Sequence, residues 1–298
     1  SHFAMAAKLH AELEAKILEV RKKRNFDPAS WTEQKCAMFN EYLKKCGLKA
    51  ASISVSGGVD SAVTLGLMKR ASQMPGSPLQ RVLGVAQPIH STERVWSRAL
   101  ELRAAFDVEV IVVDQTELHD KLVGLVDGAL GIKGKPFSTG QLRSYQRTPV
   151  NYYVAQVISQ EGLPCVVMGT GNYDEDGYLR YFCKAGDGVV DVQLIADLHK
   201  SEVFSVGKHI GVPASILEAP PTADLWDGQT DEEELGMSYD FIELYTEYLK
   251  LGEAEKTEFT SSFSGDALAQ FNTLGAKADD VHRRNAHKED FPVNLNVL

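Results

Sequence analysis

The chain has 298 residues, 44% of them hydrophobic, enough to bury a full core without disulfide or metal staples. A formal net charge of −10 and a pI near 5.3 exclude a protein that works by laying a broad basic face on nucleic acid. No apolar run approaches the roughly 18–20 residues that cross a bilayer, no N-terminal stretch has the pattern of a secretory signal, and Cys36, Cys46, Cys165 and Cys183 form no Cys-x-x-Cys pair. Reduced thiols in a cytoplasmic protein that binds no membrane are therefore expected.

Ser1-His2-Phe3-Ala4-Met5 reads as a vector-derived leader before a natural start at Met5. Residues 6–298 are expected to form a single domain with an N-terminal helical extension and a basic C-terminal tail. In chain order, Leu9, Leu13, Ile17 and Val20 put one apolar stripe on a charged helix, a packing surface for the domain or for a partner chain. A second helix is predicted over 32–45, with Gly47 as its C-cap. Ala51, Ile53 and Val55 then alternate with Ser52 and Ser54, the pattern of a strand with one buried face. Val63, Leu67, Ala71 and Met74 recur at helical spacing, so the period changes across Ser56-Gly57-Gly58-Val59-Asp60-Ser61.

Two adjacent glycines let backbone N–H groups turn toward an anion, and the helix that follows adds its dipole. The same turn also serves as a plain strand-to-helix corner. No Gly-Lys-Ser/Thr follows, so this is not a Walker P-loop. The hydroxyls of Ser54, Ser56 and Ser61 around Asp60 favour a phosphate cradle, and a carboxylate beside it points to Mg²⁺.

Pro75, Gly76, Ser77 and Pro78 end that helix, and a strand over 82–86, a helix capped by Thr92 and a strand over 108–113 follow. This rhythm predicts an α/β fold: a doubly wound parallel sheet flanked by helices, Rossmann-like, with ligands at the C-terminal ends of its strands. Residues 124–148 combine Gly128, Gly131, Gly134 and Gly140 with Lys133, Lys135, Arg143 and Arg147, and read as a mobile lid over an anion or a solvated loop. Pro149 is expected to open the next helix, carrying Tyr152, Tyr153, Val154 and Val157. Residues 164–169 are apolar throughout at Val166, Val167 and Met168, as a central parallel strand should be.

That strand ends in Gly169-Thr170-Gly171-Asn172-Tyr173-Asp174-Glu175-Asp176-Gly177, which is either a solvated acidic turn or a second ligand cluster. Glu175 completes a divalent-metal site with Asp60 if their strands are neighbours. A polar turn follows at Lys184-Ala185-Gly186-Asp187-Gly188, with Asp191 beyond it, and Lys200 starts a helix that Gly211 and Pro213 end. Residues 220–226 read as rigid and extended. Thr230 and Glu233 read as a capping box for an acidic helix with Leu235, Tyr239, Ile242 and Leu249 inward. His282, Arg283, Arg284, His287 and Lys288 make a basic finish, either closing on a polyphosphate or remaining a solvated tail.

With Ser-Gly-Gly-Val-Asp-Ser at 56–61, Gly169-Thr170 with Glu175, Gly186-Asp187-Gly188 with Asp191, Leu198-His199-Lys200 and Pro221-Thr222-Ala223-Asp224-Leu225-Trp226, the chain resembles NAD synthetases, of the N-type ATP pyrophosphatase group, over roughly residues 50–292. The resemblance implies ATP-driven amidation of deamido-NAD (nicotinic acid adenine dinucleotide) to NAD through an acyl-adenylate, with AMP and pyrophosphate released and ATP as co-substrate. It implies that Ser54, Ser56, Gly57, Gly58, Ser61, Thr170, Lys200 and Thr222 hold ATP and its pyrophosphate, and that Asp60 and Glu175 bind Mg²⁺. It assigns Phe137, Arg147, Lys184, Asp187, Asp191, His287 and Lys288 to deamido-NAD, with Asp60, Lys200 and Asp187 catalytic and Asp187 a candidate proton acceptor from ammonium. It also implies a homodimer, with the dinucleotide lying across the two-fold interface. A chain of 298 residues leaves no room for a separate glutaminase domain, so ammonia is the expected nitrogen donor.

The sequence departs from the family pattern at Tyr145-Gln146-Arg147, where two arginines are usual, at Ala86-Gln87-Pro88, which lacks an arginine, and at Val189, which replaces a glycine. These departures touch substrate contacts rather than the reaction class. Another ATP pyrophosphatase, such as a GMP synthetase or tRNA-modifying enzyme, is the runner-up. A tRNA enzyme should add a basic RNA-binding region or a reactive cysteine pair. A non-catalytic nucleotide-binding homologue is the third reading, and the joint presence of Asp60, Glu175, Lys200 and Thr222 argues against it.

Overall fold

The computed structural model describes residues 8–219 and 231–289. Helices α1 (Ala11–Arg24) and α2 (Pro28–Cys46) come first. Asp27 caps α2 by accepting a 3.0 Å hydrogen bond from the Ala29 N–H, and Gly47 closes it at φ 69°. Strands and helices then alternate: β1 (Ala50–Ser54), α3 (Val59–Gln73), β2 (Arg81–Ala86), α4 (Glu93–Phe106), β3 (Glu109–Val112), α5 (Thr116–Leu130), α6 (Pro136–Gln160), β4 (Cys165–Gly169) and β5 (Val192–Gln193). The sheet is parallel with order β3-β2-β1-β4-β5, the doubly wound arrangement expected. The order in which strands are added reverses between β1 and β4, where Ile53 stands opposite Met168, and a crevice opens at such a switch point.

The remaining helices are α7 (Lys200–Ile210), α8 (Ala214–Leu217), α9 (Asp231–Leu235), α10 (Tyr239–Leu249), α11 (Glu253–Ser261) and α12 (Gly265–Arg284). One core packs α2, α3 and α7 on the sheet through Leu43, Ile53, Leu67, Met68 and Val203. A second gathers Leu13 and Ile17 of α1 with Phe241, Leu244 and Phe271 of α10 and α12, so the N-terminal stripe is buried within the chain itself.

Several local expectations are corrected. β1 is buried on both faces, Ser52 included, because helices cover both sides of a central parallel strand. Residues 124–148 are not a glycine-rich lid: they lie mostly in α5 and α6, with only a short link after Gly131, the C-cap at φ 65°. Pro149 lies inside the 25-residue α6 rather than opening a helix. Its missing N–H costs on the order of 3 kcal/mol, which the burial of Ser144, Gln146, Ala155 and Ile158 along the same helix opposes. The predicted acidic helix is two helices, broken at Gly236 with φ 63°, and Leu249 is exposed. The basic finish is ordered as the last turn of α12 and a 3₁₀ turn over Ala286–Lys288. The extended segment at 220–226 and the cap residue Thr230 lie outside the described residues. Among the described residues no helix is long and apolar enough to cross a membrane.

Candidate active site

The chain leaves β1 through a turn that folds on itself. Gly57 takes φ 83°, which a side chain would strain, the Gly58 N–H donates to Ser56 Oγ at 3.3 Å, and Ser61 Oγ donates to the Gly58 carbonyl at 3.1 Å. The hydroxyls of Ser56 and Ser61 stand 3.4 Å apart above the N-terminus of α3. This turn forms one wall of a cleft of about 590 Å³.

The opposite wall starts at the end of β4. Asn172 Oδ1 accepts from the Asp174 and Glu175 N–H groups at 3.1 and 3.0 Å, fixing a wide turn over Tyr173–Leu179. Asn172 Nδ2 donates to Asp60 Oδ1 at 3.0 Å, so the two strand ends are joined directly. Lys200, at the start of α7, inserts its ammonium between them: Nζ is 2.6 Å from Asp60 Oδ2 and 2.8 Å from Glu175 Oε1. Burial pulls this lysine's pKa down, but the two carboxylates outweigh it and hold it above the ordinary lysine range.

More carboxylates converge on the same point than one ammonium neutralises. Glu175 is pushed up by burial, against the pull of Lys200, and Asp176 well up by burial and the Glu175 charge. Burial and Glu175 push Asp231 up to about 7. Tyr239 OH donates to Glu175 and, at 3.3 Å, to Asp231 Oδ2, whereas Asp231 Oδ1 is buried with no hydrogen-bond partner among the described residues. Excess negative charge, oxygen donors and an orphaned carboxylate oxygen fit a hard divalent cation such as Mg²⁺.

Beneath Lys200 lies a buried ion network. Asp174, the remaining carboxylate of the acidic turn, faces away from the cleft: its Oδ2 accepts the Lys200 N–H at 2.8 Å and its Oδ1 meets His199 Nδ1 at 2.7 Å. His199 Nε2 meets Glu247 Oε1 at 3.0 Å, and Arg24 of α1 pairs with Glu247 and Glu202. Burial opposes the imidazolium, but Asp174 and Glu247 raise its pKa to about 9.

The cleft thus gathers Ser54, Ser56, Gly57, Gly58, Asp60, Ser61, Thr170, Glu175 and Lys200, expected to hold ATP, and Phe137, Arg147, Asp187 and Lys288, expected on the other substrate. Asp187 accepts from Ser144 Oγ at 3.3 Å and from the Cys183 N–H at 3.4 Å. Lys288 donates to the Arg180 carbonyl at 2.9 Å, and burial lowers its pKa. Lys184, His287 and Asp191 lie outside the cleft lining. Lys184 Nζ donates to the His287 carbonyl at 2.6 Å, while Asp191 accepts from the Val167 N–H at 2.9 Å and from Tyr152 OH at 3.1 Å. Thr222 falls outside the described residues.

Asn172, Asp176, Asp231, Tyr239 and His199 were missed as site residues. Asn172, Asp176 and His199 carried a signal in standing beside Glu175 or Lys200 in the sequence, whereas Asp231 and Tyr239 meet Glu175 only in the fold. At Gln87, where the family arginine is absent, the side chain is buried: its Nε2 donates to Ser54 Oγ at 3.2 Å and Asn151 Oδ1 at 2.6 Å, and its Oε1 accepts from Gln115 at 2.6 Å.

A parallel sheet with a glycine-turn anion cradle and a charged cluster at its switch point defines a nucleotide-binding α/β protein. The family model described as NAD synthase matches residues 31–292, and the chain belongs to that family. It is 33% identical over 267 residues to the NH(3)-dependent NAD(+) synthetase of Alkaliphilus oremlandii, covering 87% of this chain and 94% of that protein. It is 35% identical over 218 residues to the same-named protein of Methanococcoides burtonii, covering 72% of this chain and 77% of the relative. The NMN synthetase structure from Francisella tularensis superposes with a TM-score of 0.74 at 25% identity, over 91% of this chain and 99% of that one.

Proposed function

We propose that the protein is an ammonia-dependent NAD synthetase, using ATP to convert the carboxylate of deamido-NAD to the amide of NAD. The observation that carries this reading is the Lys200 ammonium held between Asp60 and Glu175 at the mouth of the Ser56–Ser61 turn. An ionised carboxylate is a poor electrophile, so it first attacks the α-phosphorus of ATP. Pyrophosphate leaves, and an acyl-adenylate forms. Ammonia then attacks the acyl carbon, and AMP leaves with the former carboxylate oxygen.

The chain's contribution is positioning and electrostatics. Ser56, Gly57, Gly58 and Ser61 cradle the leaving pyrophosphate, Lys200 and Thr222 contact the phosphates, and Ser54 and Thr170 flank the nucleotide. Asp60 and Glu175, with Asp231 beside them, would hold Mg²⁺, which when bound would neutralise charge on the leaving pyrophosphate. Phe137, Arg147 and Lys288 face the dinucleotide. Asp187 takes a proton from ammonium, releasing the nucleophile. Lys184, Asp191 and His287 reach substrate only if a second protomer brings the dinucleotide to their face, consistent with a homodimer. Free cysteines at all four positions fit a reducing compartment, and the cytoplasm is the expected location.

Incubation with ATP, Mg²⁺, deamido-NAD and ammonium should yield AMP and NAD in equal amounts, and glutamine in place of ammonium should yield little. Asp60→Ala should reduce pyrophosphate release by at least about 10²-fold, and Asp187→Asn should change the pH profile of amidation. No NAD formation by the intact chain ends the proposal.

A second reading rests on the likeness to the Francisella NMN synthetase and on Lys184, Asp191 and His287 lying off the cleft: the acid substrate is nicotinic acid mononucleotide. Comparing kcat/KM for the two acids in the same assay separates the readings.

A further inference from the structure

On the far side of the β2–α4 connection, away from the carboxylate cluster, lies a set of side chains that the amidation chemistry does not use. His90 projects from that connection, and His119 and Asp120 stand at the start of α5. Their donor atoms all lie within 4.8 Å of one another. His90 Nε2 is 2.6 Å from Asp120 Oδ1, and His119 Nδ1 is 3.4 Å from the same oxygen. We propose that His90 Nε2, His119 Nδ1 and the Asp120 carboxylate form a binding site for a borderline divalent transition-metal ion of the Zn²⁺ class.

Three observations carry the assignment. The first is the tautomer of His119. Its Nε2 lies 3.2 Å from the Thr139 carbonyl oxygen, which only accepts, so Nε2 bears the proton. In the neutral ring this leaves the lone pair on Nδ1, 3.4 Å from a carboxylate oxygen, a pair of acceptors that one cation can bind together. An imidazole whose far N–H is anchored on a backbone carbonyl is the usual form of a metal-ligating histidine. The ring is buried, so its orientation is fixed.

The second is backbone strain. His90 takes φ 53°, a left-handed conformation that costs a residue with a side chain on the order of 1–3 kcal/mol. It is held there by its N–H on Thr116 Oγ1 at 3.2 Å, while the Thr116 N–H is held by Asp114 Oδ1 at 2.8 Å. The strain turns the imidazole toward α5.

The third is the donor set. Bonds of about 2.0–2.2 Å in a tetrahedron set donors about 3.3–3.6 Å apart. The His119–Asp120 spacing already matches, and His90 and Asp120 need separate by less than about 1 Å. Two imidazoles and one carboxylate select Zn²⁺, Ni²⁺ or Co²⁺ over Mg²⁺, which prefers oxygen.

Binding there would clip the loop that follows β2 onto α5. Gln87, Pro88 and Ser91 of that loop line the active-site cleft, so an ion at this site would stiffen one of its walls. The test uses the full chain without an affinity tag, stripped with a chelator and kept in millimolar Mg²⁺ so that the carboxylate cluster is supplied with its preferred ion. Titration calorimetry with Zn²⁺ should show one site per chain, and Zn²⁺ should raise the melting temperature. His90→Gln and Asp120→Asn change exposed side chains, so both should fold. Each should weaken zinc binding by about tenfold or more and abolish the thermal shift. Wild-type protein that binds no zinc, or zinc binding of equal affinity in both variants, overturns the proposal.

Discussion

Asp174 and His199 show how much of this site rests on residues that never reach the cleft. Asp174 accepts the backbone N–H of Lys200 while pairing with the neighbouring imidazole, so the histidine's charge and the position of the Lys200 ammonium are mechanically linked. With its pKa raised to about 9, against 6.5 for an ordinary histidine, His199 keeps in the folded state a proton that the unfolded chain releases. Stability from this pair is complete below pH 6.5 and is lost as pH rises through about 9. Asp231, raised to about 7, also lowers stability on ionising, but only up to neutrality. Asp176 is also held well above its ordinary range, so in the interval from pH 7 to 9 the histidine is isolated by comparison with a variant rather than by the wild-type slope alone. Thermal or urea denaturation across that interval should show stability falling, with the histidine contributing a slope of at most about 1.4 kcal/mol per pH unit. His199→Gln should flatten that slope, and an unchanged slope in the variant would refute the assignment.

Among the elements, the junction between α6 and the 183–188 turn holds Asp187 at the wall of the cleft. Thr148 Oγ1 donates to the Ala185 carbonyl at 2.8 Å, and Ser144 of the same helix donates to Asp187. Gly186 permits this approach: a Cβ there would lie 3.0 Å from the Ser144 backbone carbon and closer still to its hydroxyl. Gly186→Ala should cost about 1–3 kcal/mol, and by moving Asp187 should raise KM for the acid substrate several-fold with KM for ATP little changed. Equal KM values for the acid in wild type and variant would show that the turn does not position it. Elements that carry chemistry at strand ends were legible in the sequence, because the change from period two to helical spacing marks β1, the glycine turn and α3 together. Helices α5 and α6 were not: Gly124, Gly128, Gly140 and Pro149 argue for loop or a helix start. The helices form because His119, Gly140, Ser144 and Ala155 are buried by neighbours distant in sequence. The support beneath Lys200 was hidden for the same reason, since Asp174, His199 and Glu247 acquire meaning only once the fold brings them together.

For the whole molecule, the distribution of apolar surface is uneven. Leu118, Leu125, Val126 and Leu130 of α5, Ile132 after it, and Phe137, Tyr145, Tyr153 and Val157 of α6 are all exposed large hydrophobics. Exposed apolar side chains gathered on two helices that touch mark an interface more often than open solvent. A second copy of the chain is the occupant we propose. α6 carries Phe137 and Arg147 of the cleft lining and Tyr152, which holds Asp191, so a dimer formed across α5 and α6 would set these residues at or beside the interface. Sedimentation should then give twice the chain mass of 32.7 kDa. Leu125→Glu combined with Leu130→Glu adds two charges per protomer to exposed positions and should leave the monomer folded while breaking the dimer. If the dinucleotide spans two protomers, the same variant should weaken deamido-NAD by at least about tenfold, with ATP affinity in the Ser56–Ser61 cradle preserved. A fully active wild-type monomer would assign the apolar face to another partner and confine the whole reaction to one chain.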